Sequence, residues 1–362
     1  MTTTNNTQHW LAPAVVANST VSGRSVEPLF LTLPARARNK GKTKIGFGVK
    51  STHRFDEDSP YTFIGFDFSA QEMQVAGIFA QTYNGNNESG FDKLDNANLT
   101  GDKSQGTDVH SLTAKAAGVP RDIAKNVNYG LCFGSGLKTA IKTTEQGLSE
   151  QDKHQAAAFA KATLESFKGS SNRETGSYEG GLASNYFNYV YKKSAIGNST
   201  LAIFNQPIPK CLDSKYIGKS GSPAQINCYV QSVCSSNGML SAYVIFLYEE
   251  AKLMGLKQGE DFRYAISIHD EVWFICKDSL TKQLATCMVR AHAATWALLM
   301  SRLNPQIDLP VQRLFYDIVI DVTKCLRKEA NQVIDTPDFK YSKLGYQYYV
   351  SKETGKLTRR DF

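Results

Sequence analysis

The sequence predicts an α/β fold, a platform of strands carrying a mostly helical insertion over about residues 84–215. Three features lead there. Tyr61-Thr-Phe-Ile-Gly-Phe-Asp67 is an aromatic and β-branched run ending in an acid, the pattern of a buried strand. Arg263–Cys276 is two apolar strands around a polar tip, a hairpin. Long helical patterns separate and follow them, so the order is strand, helix, helices, hairpin, helix, strand.

In chain order, Ala14–Ser22 and Leu29–Leu33 are expected as short strands, and Gln71–Thr82 as a helix after the Tyr61–Asp67 strand. Residues 83–108, rich in Asn, Gly and Asp, are expected as loop. Residues 110–215 are expected to be mainly helical, with Gly-rich interruptions near 168–181. Gln225–Gly255 is expected as one long helix and Ser279–Leu303 as an amphipathic helix. Leu314–Val322 is expected as a strand, and the Tyr- and Lys-rich tail from Thr336 as loop.

The 362 residues suffice for a large core, and 41% hydrophobic with 21% charged residues is an ordinary globular composition. No apolar run of membrane-spanning length, secretory signal or Arg-rich transit pattern is read, so no membrane partner is expected. The seven cysteines form no CxxC pair, which argues against a zinc site or disulfide framework and for reducing conditions. The net charge is +7, and between Glu27 and Asp56 there is no acid, only Arg36, Arg38, Lys40, Lys42, Lys44, Lys50 and Arg54 among glycines. Such a stretch suits a phosphate backbone or a merely solvated basic loop.

Three segments carry chemistry. In Arg121-Asp-Ile-Ala-Lys125-Asn-Val-Asn-Tyr129-Gly-Leu-Cys-Phe133, Arg121, Lys125, Tyr129 and Phe133 recur every four residues. On a helix they form one stripe about 18 Å long, two cations followed by two flat faces, which fits a triphosphate, sugar and base. A solvated cationic edge beside a core aromatic pair would look the same. In Phe66-Asp67-Phe68-Ser69-Ala70-Gln71-Glu72, Asp67 ends a strand and Glu72 opens a helix, where the helix dipole alone would account for an acid. In Ile268-His269-Asp270-Glu271, three titratable residues crowd a hairpin tip; a turn explains Asp270, but a cation would explain the crowding. Asp67 and Asp270 on neighbouring strand ends could hold two Mg²⁺ ions about 4 Å apart, the apparatus of in-line phosphoryl transfer.

In this order the three segments resemble motifs A, B and C of the family A DNA polymerases, most like the polymerase gamma branch. Ser25-Val-Glu-Pro-Leu-Phe-Leu-Thr, Gly106-Thr-Asp-Val-His110-Ser and Asp321-Val-Thr-Lys-Cys-Leu-Arg-Lys-Glu329 extend the likeness across most of residues 14–338. The resemblance implies a right-hand polymerase palm with an antiparallel sheet (α+β) and a helical fingers insertion: palm over 1–83 and 216–362, fingers over 84–215. It implies template-directed DNA synthesis, with primer–template DNA and dNTPs as partners and two Mg²⁺ as cofactors. Asp67 and Asp270 would bind the metals with the Phe68 carbonyl, and Glu72 would sit under the incoming sugar. Arg121 and Lys125, with His110 assisting, would hold the triphosphate, and Tyr129 would pack on sugar and base. Arg24, Asn227 and Gln231 would touch the primer–template minor groove, and His269 would lie near the primer-terminal phosphate. The motif B helix would close on a correct pair.

Phe133 stands where the family normally has Tyr, whose hydroxyl would reach the acid matching Glu72; a looser sugar gate is expected. Ser69 and Ala70 also depart from the branch's usual acid and serine. No thumb or exonuclease domain is recognisable, so a separate polypeptide supplying those or a processivity function is an expected partner. A viral or phage enzyme in host cytoplasm is favoured, with the mitochondrion as the other setting. The rival readings are a single-subunit RNA polymerase, against which Glu72 and Tyr129 argue, and a catalytically silent nucleic-acid-binding subunit of a replication complex.

Overall fold

A computed structural model describes residues 54–84, 93–235, 238–268, 270–303, 311–326, 330–331, 334–336, 339–341 and 343–362. Among these, ten strands and twelve α-helices are named here in chain order. Strands Tyr61–Asp67 (β1), Phe262–Ile268 (β4), Glu271–Lys277 (β5), Val319–Thr323 (β6), Tyr346–Val350 (β9) and Leu357–Asp361 (β10) form one antiparallel sheet, ordered β10-β9-β6-β1-β5-β4. Ser170–Ser171 (β2) pairs with Tyr178–Glu179 (β3), and Ile334–Thr336 (β7) with Phe339–Tyr341 (β8), as separate small hairpins.

β1 sits centrally because both of its faces are apolar. Ile64, Phe66, Val272, Phe274, Ile320 and Val322 belong to the main core. Phe63 and Trp273 turn the other way and pack with Ile266 and Leu326. Gly65 is required at the crossing: a Cβ there would lie 2.4 Å from the Trp273 ring. Successive strand side chains alternate, so Asp67 shares the face of Phe63 and Gly65.

Helices Gln71–Asn84 (α1), Met239–Leu253 (α10) and Thr281–Leu303 (α11) contribute to the main core, which runs without a break into the insertion. The insertion holds Lys93–Thr100 (α2), Val109–Ala117 (α3), Arg121–Cys132 (α4), Leu137–Gly147 (α5), Ala156–Lys168 (α6), Ser184–Ala195 (α7) and Ser214–Ile217 (α8). The β2–β3 hairpin occupies the Gly-rich interruption expected near 168–181.

Four expectations need correcting. Residues 93–100, expected as loop, are α2: Leu94, Ala97 and Leu99 are buried, and Asn98 donates to the Met73 carbonyl at 2.8 Å. Polar composition hid a helix whose apolar side is three residues wide. The Gln225–Gly255 helix is two, Pro223–Cys234 (α9) and α10. The ladder breaks before Gly238, where a Cβ would meet the Val233 carbonyl at 2.1 Å. Leu314–Val322 is the end of helix Val311–Tyr316 (α12) followed by β6. The tail is no loop: β9 and β10 extend the sheet, since Tyr-Gln-Tyr-Tyr-Val is rich in residues that favour strands and Gly355 makes the left-handed turn. The expected strands Ala14–Ser22 and Leu29–Leu33, and the basic stretch as far as 53, lie outside the described residues. Across α9 and α10, Pro223–Leu253 holds an 18-residue window apolar enough to cross a membrane, at mean hydropathy 1.2, and 69% of that window is buried inside the protein.

Candidate nucleotidyl-transfer site

Asp67 is the last residue of β1 and pairs in register with Glu271, so the β4–β5 tip reaches it directly. The Phe68 N–H donates to the Asp270 carbonyl at 3.1 Å, closing the two segments onto each other. Below, Phe68 is driven into an aromatic nest: its ring lies 4.8 Å from Phe66, 5.9 Å from Tyr243 and 5.3 Å from His292, onto which it stacks. Trp296 donates to His292 Nε2 at 3.2 Å, and His292 Nδ1 donates to the Phe315 carbonyl at 2.8 Å. Burial lowers the His292 pKa to about 4, so the nest stays neutral. A buried Phe inside a packed neutral nest fixes the adjacent backbone, and with it Asp67 and the Phe68 carbonyl. Ala70, at φ +47°, takes the tight left-handed turn into α1.

The two carboxyls are mutually destabilising. Asp270 is pushed up to about 8, first by burial, then by the charge of Asp67, a side-chain hydrogen bond with it, and the charge of Glu72. Two acids this close share a proton unless a cation offsets them. Glu72 opens α1, in its first turn. No cluster of three or more His, Cys, Asp or Glu side chains suited to a metal occurs among the described residues. A carboxylate pair is nevertheless a donor set that fits Mg²⁺, which keeps several waters and takes substrate phosphates as further ligands.

Facing this floor is α4. Pro120 pre-sets its entry and Phe133 closes it, donating its N–H to the carbonyls of Tyr129 and Gly130. Ile123, Ala124, Val127, Asn128, Leu131 and Cys132 are buried, which turns the 121–125–129–133 stripe outward as its spacing predicts. Tyr129 is held as a neutral phenol by burial and by the charges of Glu72, Cys132 and Asp270, so it overlooks the carboxylate floor. Its ring lies 6.2 Å from Phe133 and 5.5 Å from His110. Lys125 is exposed.

Arg121 is not free: its Nη2 meets Asp108 Oδ2 at 2.6 Å and its Nε meets Oδ1 at 3.2 Å, a two-pronged pair. Asp108 also N-caps α3, accepting from the His110 N–H at 3.3 Å, and accepts from the Ser111 hydroxyl. Burial would raise the Asp108 carboxyl, but the Arg121 and Ser111 hydrogen bonds and the Arg121 charge hold it at about 2. His110 is buried and lowered to about 4, by desolvation and then by the Arg121 charge. Its Nδ1 lies 3.3 Å from Asn128 Nδ2.

Asn227 and Gln231 are partly exposed on α9, whose intervening residues are buried, so both open on one face. The N-terminus of α9, fixed by a Ser222–Gln225 capping box, abuts the end of α4: a Cβ on Gly134 would lie 2.6 Å from the Pro223 Cα. Thus Asp67, Glu72, Asp270, Tyr129, His110, Arg121 and Lys125 converge, while Arg24 and His269 lie outside the described residues. Asp108 and Asn128 were missed as site residues. The first was signalled by an Asp just before a helical run, the second by nothing, since its partners come from another helix.

An antiparallel sheet with paired carboxyls at adjoining strand ends, faced by a cationic–aromatic helix, is a mixed helix-and-sheet fold similar to a polymerase POL domain. The chain is similar over 88% of its length to the POL domain of Pol1 from M. smegmatis, solved in complex with DNA primer-template and dNTP (TM-score 0.58, 15% identity, 48% of that chain). No family model matches. Curated relatives are DNA polymerase gamma, mitochondrial, of Neurospora crassa (28% identical, 91% of this chain and 22% of the relative) and DNA polymerase subunit gamma-1, mitochondrial, of Drosophila melanogaster (26%, 93% and 31%). DNA polymerase gamma of Schizosaccharomyces pombe is 27% identical over 91% of this chain and 32% of the relative. The chain is similar over about nine tenths of its length to these DNA polymerase gamma proteins and spans between a fifth and a third of their length. They are cellular proteins, two of them named as mitochondrial, and lend no support to a host-cytoplasm setting.

Proposed function

We propose that the chain catalyses template-directed addition of dNTPs to a primer 3′ end, with 84–215 acting as fingers over a palm built from the flanking segments. The observation that carries this is the meeting of Asp67 and Asp270 opposite the α4 stripe, with the Asp270 proton held up to about 8. That arrangement is costly in a purely structural site and useful where a cation enters. Mg²⁺ held by Asp67, Asp270 and the Phe68 carbonyl would supply Lewis-acid activation of the attacking oxygen and neutralise charge on the leaving phosphates.

The chain's own groups do the rest. Arg121 and Lys125, with His110, bind the polyphosphate and stabilise the departing charge. Tyr129 packs on the sugar and base, and Glu72 lies under the sugar, where it excludes a 2′-hydroxyl. Asn227 and Gln231, with Arg24 and His269, grip the primer–template; minor-groove acceptors common to all base pairs make that grip a test of pair shape. Movement of α4 toward the floor completes the site on a correct pair. DNA copying in a mitochondrion-like setting is the proposed role, supported by the two relatives named as mitochondrial. Thumb, exonuclease or processivity functions are proposed to lie in polypeptide outside these 362 residues, for which steeply salt-sensitive, distributive synthesis is the expected sign.

Primer extension with dNTPs, with rNTPs and with Asp270→Ala as control tests the reading. Asp270-dependent dNTP incorporation is expected. Incorporation that survives Asp270→Ala would refute the mechanism, preference for rNTPs would favour an RNA polymerase, and no incorporation would favour a silent DNA-binding subunit.

A further inference from the structure

The contact between α3 and α4 contains a buried polar network of which only His110 has so far been given a part. Asn128 is fully buried, and its Nδ2 lies 3.1 Å from Thr113 Oγ1 and 3.3 Å from His110 Nδ1. The Thr113 hydroxyl hydrogen is committed to the Val109 carbonyl at 2.9 Å. Thr113 Oγ1 can therefore only accept, which turns the amide nitrogen of Asn128 toward it. The second hydrogen on that nitrogen then points at His110 Nδ1, and Nδ1 must be the bare, accepting nitrogen.

The reversed amide is worse by count. It would draw the Thr113 hydroxyl away from Val109, make two hydrogen bonds instead of three, and strand two buried N–H donors. The observed orientation leaves one group, Asn128 Oδ1, without a protein partner among the described residues.

We propose that Asn128 is a positioning residue: it holds His110 as the neutral tautomer with its proton on Nε2, so that His110 offers a hydrogen-bond donor, not a lone pair, to the polyphosphate bound by Arg121 and Lys125. The identity of that ligand rests on the proposed nucleotide site; the tautomer rests only on the α3–α4 network. Burial and the neighbouring Arg121 keep the ring uncharged at neutral pH. The ring thus adds a donor beside two cations without adding a third charge to repel them. The other tautomer would set a nitrogen lone pair against phosphate oxygens, so the choice of tautomer decides whether His110 attracts or repels the ligand.

Long-range ¹H–¹⁵N correlation spectra of the imidazole rings in the full chain at pH 7, with His110 assigned by its loss in His110→Gln, read the tautomer without any variant at Asn128. A protonated Nε2 and an unprotonated Nδ1 are expected; an imidazolium or an Nδ1–H ring overturns the proposal. Asn128→Asp, whose carboxylate accepts from Nδ1–H, is expected to convert the ring and to raise the KM for dNTP by roughly tenfold to a hundredfold, with a smaller change in kcat. In a His110→Ala background the same substitution is expected to add less than about twofold, because there is no ring left to orient. Losses that simply multiply would overturn the proposal. Absence of polymerase activity in the unaltered chain would defeat the nucleotide-site reading instead, and the ring spectrum would still decide the tautomer.

Discussion

The carboxylate floor and the α3–α4 wall are both polar, both partly buried and both close to the same space, yet they solve their electrostatics in opposite ways. On the wall, Asp108 is matched by Arg121 and by the N-terminus of α3, and ends at about 2. On the floor, Asp270 faces Asp67 and Glu72, like charge against like, and ends at about 8. On the wall the Asp108 charge is matched as folded. The floor sets like charges against one another, and the cation proposed there would offset them.

The largest expected effect comes from breaking the floor. Asp270→Asn should lower primer extension by roughly a thousandfold or more. It should also stabilise the metal-free chain near pH 8 by about 2 kcal/mol, because a neutral amide removes the like-charge repulsion. Thermal melts with and without Mg²⁺ check this: the metal should raise Tm in the unaltered chain and leave Asp270→Asn unmoved. An equal Mg²⁺ shift in both would place the cation elsewhere.

Breaking the wall should cost folding as well as function. Asp108→Ala removes a helix cap and the partner of Arg121, and should destabilise by about 1–2 kcal/mol, read by denaturant unfolding. Because Arg121 then loses its aim, the KM for dNTP should rise together with that loss.

Opposite pH dependences sharpen the contrast further. His110 and His292 fall from 6.5 to about 4 in the folded chain, so the unfolded chain takes up protons first. Their stability is complete above pH 6.5 and drains as pH falls toward 4. Asp108 adds a further loss between 3.8 and about 2. Asp270 has the reverse sign: its folded value is raised, so stability is lost as pH rises from 3.8 toward about 8. The metal-free chain should therefore be most stable in mildly acidic solution, and Mg²⁺ should move that optimum upward. A metal-free optimum at pH 8 or above would contradict the crowding of the floor.

The smallest effect is expected at Phe133, beyond the end of α4. Phe133→Tyr restores a hydroxyl that can reach toward Glu72, and should improve discrimination against ribonucleotides by roughly tenfold, the worth of one hydrogen bond. Unchanged incorporation ratios in competition assays would remove Phe133 from the sugar gate.

Some of this was legible in residue order. The four-residue stripe, the β1 run ending at Asp67 and the β4–β5 tip at Asp270 are local periodicities, and α4, β1, β4, β5 and α11 stand where the pattern puts them. Other elements were not legible, some for local reasons and some for long-range ones. α2 has too narrow an apolar side to stand out against its polar composition, and the break before Gly238 lies inside an unbroken hydrophobic pattern. β9 and β10 were hidden because strand pairing in the tail depends on β6, some 25 residues earlier.

Sequence by itself determined which groups are present and at what spacing: an acid at a strand end, an acid at a turn, cations and rings four apart, because those depend on period and turn chemistry alone. Tertiary structure alone decided the partners. Asp270 is crowded because β5 delivers it against β1; Asp108 is calmed because α3 lays its first turn on Arg121; His110 has a defined proton because Asn128 reaches it from 18 residues away. Charge state and tautomer depend on burial and on neighbours brought in from other elements, and no spacing along the chain encodes those.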